Sequence, residues 1–356
     1  MYKNIYINNI FNKLSKYLKK KYISKLIILL DKNTKKYCLK YLLNNINFVK
    51  IKIIVIKNGE KNKNIYTCIK IWKKLIIYNI DKNSIIINLG GGVITDIGGF
   101  IASLFKRGLK FINIPTTFLG MIDASIGGKN GINFYNYKNE IGIIKNPIMI
   151  LIDFNYLKTL PKNEILSGLG ELLKYGLIYN KKLWNILKKI NFNNYKNIPW
   201  KLIIKKAILI KTKIVDKDPE ELLGLRKILN FGHTIGHAIE SFFLYKKKKI
   251  THGEAISLGM ICESWISKKI NNLKKKEYKD IYKTILKYYK IRKIYKKNFN
   301  KIYNFIKNDK KNYNNNIYFS LLEKIGKCSY NKKVNKKLIL MSIEKMNNIN
   351  EQNKKY

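Results

Sequence analysis

The first half of the chain alternates between short apolar runs and segments with helical spacing. Five of the apolar runs are predicted to be strands: Leu26–Leu30, Ile51–Ile56, Ile85–Leu89, Phe111–Ile114 and Ile148–Ile152. A helical pattern over Tyr66–Tyr78 separates the second run from the third. Short apolar runs separated by helices are typical of a parallel sheet with helices on its faces.

After Leu160-Pro161 the pattern changes to long segments with helical spacing and few strand signals. The helices predicted there include Glu164–Ile178, Trp200–Val215, Gly236–Phe243 and Glu254–Lys268. We therefore predict an N-terminal α/β domain joined to a C-terminal helical domain, with the boundary near Asp153–Pro161.

The formal net charge of +50 would suit a protein that binds nucleic acid. The basic residues are almost all lysine, however, and they lie along the whole chain beside abundant Asn, Ile and Tyr. These four residue types share A/T-rich codons, so biased nucleotide composition accounts for the charge without a ligand. We expect no specific nucleic-acid partner, although non-specific attraction to polyanions follows from the charge itself.

Three features of the sequence bear on its location. Asn and Lys are scattered through Met1–Ile10, so nothing there resembles a cleavable signal. The apolar stretch Ser84–Phe105 contains five glycines together with Asn88 and Asp96, which indicates strand, turn and helix instead of a membrane span. Four widely separated cysteines fit reduced thiols. We expect a cytoplasmic protein with no membrane association.

All three histidines of the chain, His233, His237 and His252, fall in one short window. His233 and His237 are four residues apart, which places them on one face of a helix. Two imidazoles on a helix with a third nearby are what a divalent metal site requires. Glu171 is a candidate carboxylate ligand, and Lys174 lies one helical turn further on. A surface ion pair is the alternative explanation for this Glu/Lys pair.

Three consecutive glycines, Gly90-Gly91-Gly92, follow the predicted strand Ile85–Leu89 and precede a predicted helix start at Val93–Asp96. In such an arrangement backbone N–H groups can approach a pyrophosphate. Thr95 stands where the GxGxxG fingerprint has its last glycine, so this motif by itself gives only moderate support for a nucleotide site.

Five longer motifs follow one another along the chain: GGGVITDIGGFIASLFKRG (90–108), PTTFLGMIDASIGGKNGIN (115–133), SGLGELLKYG (167–176), LNFGHTIGHAIES (229–241) and HGEAISLGM (252–260). Together they resemble the 3-dehydroquinate synthase family in order and in spacing, from about Lys25 to about Tyr330. The resemblance implies a Rossmann-like NAD-binding domain over residues 1–157, followed by an α-helical metal- and substrate-binding domain over residues 158–356.

The resemblance also implies roles for individual residues. The implied ligands of Zn²⁺ or Co²⁺ are Glu171, His233 and His252, whereas His237 contacts the substrate and takes part in proton transfer. The implied NAD contacts are Asp31, Asn33, Glu60, Lys63, Gly91, Gly92, Asp96, Thr116, Thr117, Lys138 and Thr159. The implied substrate contacts are Arg107, Asp123, Lys129, Asn139, Lys174, Lys211, Arg226 and Asn230. A late Asp309-Lys310-Lys311 resembles a DKK motif that brings one more lysine to the phosphate.

The implied reaction converts 3-deoxy-D-arabino-heptulosonate 7-phosphate to 3-dehydroquinate and phosphate, in the shikimate pathway of aromatic amino acid biosynthesis. Transient oxidation by NAD⁺ of an alcohol held on the metal acidifies the neighbouring C–H, and phosphate leaves by β-elimination. Reduction, ring opening and an intramolecular aldol step follow. The substrate carries a phosphate and a carboxylate, which accounts for the lysines and arginines among the contacts. A homodimer is also implied.

The sequence departs from the family pattern at a few positions. Tyr137 replaces a glycine before Lys138-Asn139, Gly170 replaces an alanine, and one residue is inserted between Glu221 and Arg226. Two alternatives stay open. One is a related sugar-phosphate cyclase with a different heptulose or hexose phosphate as substrate. The other is a non-catalytic basic binding protein on a decayed scaffold, although the retention of all three histidines at family positions argues against decay.

Overall fold

The structure is a computed structural model, and it describes residues 4–135, 137–192, 194, 197–307 and 316–353. The chain divides into two compact units. Unit 1 consists of Met1–Ile165 and Trp200–Thr212, and unit 2 consists of Leu166–Pro199 and Lys213–Tyr356. The units are therefore interleaved along the sequence. The domain boundary expected between residues 157 and 158 stays a prediction.

The first thirteen elements lie in unit 1. They are β1 (Ile5–Ile7), α1 (Ile10–Lys20), β2 (Leu26–Asp31), α2 (Lys32–Tyr37), α3 (Leu39–Leu43), β3 (Ile51–Ile56), α4 (Ile65–Ile77), β4 (Ile85–Gly90), α5 (Gly92–Leu104), β5 (Lys110–Pro115), β6 (Lys129–Phe134), β7 (Tyr137–Ile144) and β8 (Met149–Ile152). All five predicted strands are present, with ends within a residue or so of those predicted.

Six of these strands form one parallel sheet in the order β1-β8-β5-β4-β2-β3. The central strands β2 and β4 are buried at almost every position, because a parallel sheet with helices on both faces has no solvent-facing side. One face of the sheet packs on α4 and α5, through a core that includes Ile27, Leu29, Ile86, Ile71, Leu75, Ile97 and Ile101. The predicted α/β class with a parallel sheet is confirmed.

The remaining elements belong mainly to unit 2. They are α6 (Lys162–Tyr179), α7 (Lys181–Leu187), α8 (Trp200–Lys217), α9 (His233–Tyr245), α10 (His252–Ile270), α11 (Lys275–Leu286), α12 (Phe299–Lys307), β9 (Tyr318–Lys324), β10 (Lys327–Lys333) and α13 (Lys336–Asn353). Residues 200–212 of α8 are part of unit 1. The predicted helices correspond to α6, α8, α9 and α10, and the helical character of the C-terminal part is confirmed.

Two antiparallel hairpins were not predicted from the sequence. One pairs β6 with β7 in unit 1, and the other pairs β9 with β10 in unit 2. Among the described residues, no helix is long and apolar enough to cross a membrane.

Candidate functional site

A glycine turn in unit 1, defined here as Gly90–Gly92, joins β4 to α5. Gly91 is the N-cap residue of this thirteen-residue helix, and no side chain caps the helix there. A Cβ atom added to Gly91 would lie 2.8 Å from Thr117 Cγ2, so any larger residue would force the Thr117 side chain to shift. Thr116 donates a backbone hydrogen bond to the Gly90 carbonyl at 3.0 Å. Because the N-cap residue and the first residue of α5 are glycines, no side chain covers the free backbone N–H groups there, and these groups can bind a phosphate.

Four of the predicted contact residues in unit 1 form one hydrogen-bonded network. The Lys63 ammonium is buried, and it contacts both the Asp96 carboxylate and the Asn139 side-chain carbonyl. Asn133 links the other members, because its Nδ2 donates to Glu60 Oε1 at 2.9 Å and its Oδ1 accepts from the Asn139 backbone N–H at 2.9 Å. Burial raises the pKa of Asp96, and the Lys63 ammonium opposes that rise. The network joins predicted NAD contacts to a predicted substrate contact, and Asn133 was not among the predicted residues.

The other predicted NAD contacts are more exposed. Asp31 ends β2, and its carboxylate accepts a hydrogen bond from the Thr34 backbone N–H at 2.8 Å as the cap of α2. Asn33, Lys138 and Thr159 are exposed. The structure therefore places Asp31 at the carboxyl edge of the sheet, where ligands of open parallel sheets bind.

Among the predicted substrate contacts in unit 1, Asp123 and Lys211 form an ion pair. Lys211 lies on α8, and its ammonium also donates to the Asp123 backbone carbonyl at 2.6 Å. Arg107 and Lys129 are exposed, and Arg107 has a positive φ of 63°. Lys211 is 7% exposed, so this cation is withdrawn from bulk solvent.

The three histidines and Glu171 come together in unit 2, and this group is called the histidine cluster below. His233 and His252 are the first residues of α9 and α10, and Glu171 lies inside α6. One ligand atom from each of the three histidines lies within 4.8 Å of the others. Glu171 Oε1 is 3.1 Å from His233 Nε2 and 3.5 Å from His252 Nε2. The helix predicted over Glu254–Lys268 begins two residues earlier, so that His252 is its first residue.

The hydrogen bonds of the ring nitrogens test whether the cluster suits a cation. His233 Nδ1 lies 3.1 Å from the Phe231 carbonyl oxygen, which can only accept, so Nδ1 carries the proton. The Nε2 lone pair of the neutral ring then faces Glu171 Oε1, and two acceptors at 3.1 Å repel each other unless a cation binds both. His252 Nδ1 has an analogous partner in Glu240 Oε2 at 3.4 Å. Oriented imidazoles and a carboxylate are the donor set of a zinc site, so the residues fit a divalent metal.

The ionisation of the cluster follows from burial and charge. Burial, helped by the Lys174 ammonium, lowers the pKa of His233 to about 4. Burial also opposes protonation of His252, but hydrogen bonds to Glu171 and Glu240 raise its pKa to about 9. Burial alone would raise the pKa of Glu171, yet Lys174 and His233 hold it well below its usual range. The carboxylate is therefore ionised and fully buried, as a ligand carboxylate should be.

The remaining predicted substrate contacts in unit 2 include two buried cations. The Lys174 ammonium pairs with Glu171 and is 3% exposed, which decides against the surface-pair explanation. Arg226 Nε pairs with Glu221 Oε1 at 3.2 Å, and Arg226 Nη1 donates to the Pro219 carbonyl at 2.7 Å. Asn230 ends the 3₁₀ turn Leu225–Asn230. The Asp309-Lys310-Lys311 motif lies outside the described residues.

Comparisons with known proteins identify the matching family. A family model described as the 3-dehydroquinate synthase N-terminal region matches residues 53–167, and its C-terminal counterpart matches residues 168–312. A 3-dehydroquinate synthase from Parabacteroides distasonis is 38% identical over 322 residues, which are 90% of each chain. One from Pelagibacter ubique is 39% identical and covers 95% of this chain and 94% of its own.

Solved structures of similar fold include two synthases that were solved with NAD⁺ and a divalent metal. A 2-deoxy-scyllo-inosose synthase complexed with carbaglucose-6-phosphate, NAD⁺ and Co²⁺ superposes with a TM-score of 0.82 at 26% identity, over 96% of both chains. The 2-epi-5-epi-valiolone synthase of Streptomyces hygroscopicus, with NAD⁺ and Zn²⁺ bound, gives a TM-score of 0.83 at 23% identity over 96% of both chains. At that identity the second likeness concerns the fold alone.

Proposed function

This chain belongs to the 3-dehydroquinate synthase family, and we propose that it converts 3-deoxy-D-arabino-heptulosonate 7-phosphate to 3-dehydroquinate and phosphate, as a carbon–oxygen lyase. The observation that carries the proposal is the histidine cluster, in which an ionised, fully buried Glu171 faces the Nε2 atoms of His233 and His252. The glycine turn suits the phosphates of a nucleotide, and the buried cations suit an anionic sugar.

Glu171, His233 and His252 would hold the divalent metal, zinc or cobalt. When bound, the metal supplies a Lewis acid that lowers the pKa of a substrate hydroxyl. The hydrogen bonds of His233 Nδ1 and His252 Nδ1 orient both rings so that Nε2 points at Glu171. His237 belongs to the same cluster, and we assign it to proton transfer at the substrate.

The glycine turn would hold the pyrophosphate of NAD, at the start of α5. When bound, NAD⁺ supplies a hydride acceptor that is regenerated within each turnover. Asp96 lies one helical turn into α5, and its pairing with Lys63 orients the carboxylate. We assign Asp31 to the NAD site as well, because it ends β2 beside β4 and ligands of open parallel sheets bind at the carboxyl ends of the strands.

The substrate is an anion at both ends, so the buried cations would bind it. In unit 2, Lys174 and Arg226 are each less than a tenth exposed and each already paired with a carboxylate. Cations withdrawn from water bind phosphate and carboxylate more strongly than surface lysines do. The exposed lysines elsewhere on the chain do not provide this selectivity.

Phosphate release with a coupled detection of dehydroquinate tests the proposal. The purified chain should release phosphate from the heptulosonate phosphate only with both NAD⁺ and a divalent metal, and chelation should abolish turnover. Glucose 6-phosphate serves as the control substrate, since a neighbouring 26%-identical structure is complexed with carbaglucose-6-phosphate. Turnover of the control alone would assign the related cyclase function. Folded, metal-loaded protein that turns over neither substrate would refute the proposal.

The assignment of the metal ligands has its own test, because the nitrogens of all three histidines lie within 4.8 Å. His252→Ala should lower metal affinity by at least about 100-fold, since a ligand is lost. His237→Asn should keep metal affinity within about tenfold and lose turnover, since only an outer contact changes. Competition with a chromophoric chelator measures both. An equal loss of affinity in His237→Asn would add His237 to the ligand set.

We also propose a homodimer that is located in the cytoplasm. Tyr137 and Ile144 on β7 are 60% and 50% exposed, and within the described residues β7 pairs only with β6. Exposed apolar side chains on an edge strand favour pairing with a second copy. The four free cysteines fit a reducing compartment. Light scattering should give twice the chain mass, and Ile144→Lys should give the monomer mass; a wild-type monomer would contradict the dimer.

A further inference from the structure

Glu263 on α10 is a buried carboxylate that has no part in the functions described so far. It is fully buried. Its Oε2 accepts a hydrogen bond from the Gly232 backbone N–H at 2.6 Å, and its Oε1 accepts one from the Ile235 backbone N–H at 3.0 Å. Burying a carboxylate costs free energy unless strong donors satisfy it, and these two bonds offset part of that cost.

The two donors flank His233 at the start of α9. Gly232 is the N-cap residue of this helix, has a φ of +79°, and provides no side-chain cap. The first N–H groups of a helix lack partners within the helix, and a negative charge beside them is favourable. Glu263 supplies the cap from another helix. It thereby holds the backbone on both sides of His233.

Glycines bring α10 close enough for this contact. A Cβ atom added to Gly259 would overlap the Gly232 carbonyl oxygen, and it would lie 2.6 Å from the Gly236 nitrogen. Gly259 precedes Glu263 by four residues, so both face α9 from the same side of α10. The close approach of the two backbones therefore directs the Glu263 side chain to the start of α9.

We propose that Glu263 is a positioning residue of the metal site: by clamping the Gly232 and Ile235 amides it fixes His233, so that His233 Nε2 faces Glu171 before metal arrives. The inference rests on the proposed metal-binding function of the histidine cluster. It concerns affinity for the metal and the geometry of the bound ion. Glu263 touches neither the metal nor the substrate.

Substitution by glutamine separates positioning from simple packing. Glu263→Gln keeps the volume but offers one acceptor oxygen to two donors, so one amide of the clamp loses its bond. Glu277→Gln is the matched control, because Glu277 also accepts a backbone N–H, that of Ile325 at 3.1 Å, in the same unit. Both changes remove one charge, but only Glu263→Gln removes a hydrogen bond to the backbone, because a glutamine at position 277 keeps an oxygen for its single donor.

Titration with Co²⁺ against a competing chelator measures the effect. Glu263→Gln should bind Co²⁺ at least about tenfold more weakly than wild type and shift the visible absorption bands of the bound ion. Glu277→Gln should stay within about twofold of wild type with unchanged bands. Wild-type affinity and bands in Glu263→Gln would overturn the inference and leave the proposed function intact. Failure of the wild-type protein to bind Co²⁺ would overturn both.

A measurement on the wild-type protein covers the case in which Glu263→Gln does not fold. If the clamp and the metal site are coupled, metal binding must stabilise the clamp by the same free energy. Hydrogen exchange of a peptide that spans Gly232–Ile235 should slow about tenfold on Co²⁺ loading, while a peptide around Ile325 should not change. Equal protection in the two peptides would overturn the inference.

Discussion

Lys63 is a buried cation that connects side chains from two elements of unit 1. The side chain is 4% exposed, and its partners Asp96 and Asn139 come from α5 and β7. An ammonium withdrawn from water requires such partners, because its desolvation is otherwise uncompensated. Asn139 has a positive φ of 54°, a conformation in which asparagine is tolerated better than most residues. The pairing therefore fixes an unusual backbone conformation as well as a charge.

Replacement of Lys63 by methionine tests this role. We expect Lys63→Met to lower the free energy of unfolding by up to about 3 kcal/mol, because it removes the cation that is paired with the Asp96 carboxylate. The Asp96 side chain is only 20% exposed, so it stays mostly buried without its partner. The double variant Lys63→Met/Asp96→Asn should recover part of that loss. Urea denaturation of the three proteins measures it. Equal stability of the single and double variants would show that the two side chains do not interact.

The residues that form or support the candidate site differ in whether the sequence alone can identify them. His233, His237 and His252 could be found because histidine occurs nowhere else in the chain. Glu263 lies beyond the quoted motifs and has no neighbour of a distinctive type. Its partners are backbone amides of another helix, and a sequence carries no signal for a bond to a backbone group that distant in the chain.

At the scale of elements, the contact between α9 and α10 depends on glycine. We expect Gly259→Ala to destabilise the protein by about 1–3 kcal/mol, because the added methyl overlaps the Gly232 carbonyl. It should also weaken metal binding, since α9 carries His233. Ser264→Ala on the same helix is the control, because Ser264 Oγ is buried with no hydrogen-bond partner among the described residues. Thermal unfolding measures the stability of both variants. If Gly259→Ala were as stable as the wild-type protein, the close packing of the two helices would be contradicted.

The segment between α8 and α9 is organised by Asp218. Its carboxylate accepts hydrogen bonds from the Leu223 N–H at 2.9 Å and the Arg226 N–H at 3.1 Å. Burial by itself would raise the pKa of Asp218, but these hydrogen bonds outweigh it and lower the pKa. The folded state thus favours the ionised form and helps to hold Arg226 in place.

The lowered pKa of Asp218 determines how its contribution to stability changes with pH. The contribution of Asp218 is present above the unfolded pKa of about 3.9 and is lost as pH falls through the lower, folded pKa. Asp218→Asn should therefore be less stable than wild type at about pH 6, and the difference should shrink toward about pH 3. Denaturant midpoints at several pH values measure this. A difference that stays constant with pH would assign the effect to something other than the charge.

The elements also show which parts of the fold can be predicted from the sequence. The strands β2, β4 and β5 are buried at almost every position and are mainly apolar in sequence, and their positions were predicted closely. The strands β7 and β10 are largely exposed, with polar residues such as Lys138 and Lys332. Exposed hairpin strands are stabilised by pairing with a neighbour instead of by burial, so a hydrophobic pattern does not reveal them.

At the scale of the whole molecule, the net charge of +50 should produce weak, unselective binding to nucleic acid. We expect two unrelated DNA duplexes to bind alike, with dissociation constants of about 10⁻⁴–10⁻⁶ M near physiological salt, and the binding to weaken steeply as salt increases. Fluorescence anisotropy at several salt concentrations measures this. A clear preference for one duplex would contradict the compositional explanation of the charge and favour a selected binding surface.

The interleaving of the two units constrains how the chain can fold while it is being synthesised. Unit 1 includes Trp200–Thr212, which the ribosome adds only after Leu166–Pro199 of unit 2. Domains usually fold as units during synthesis, N-terminal first, at about 5–20 residues per second. Here the nascent N-terminal part stays incomplete until Thr212 has left the exit tunnel, with a segment of the other unit already exposed. A chaperone that shields this intermediate should therefore improve the yield of folded protein more than slower translation would.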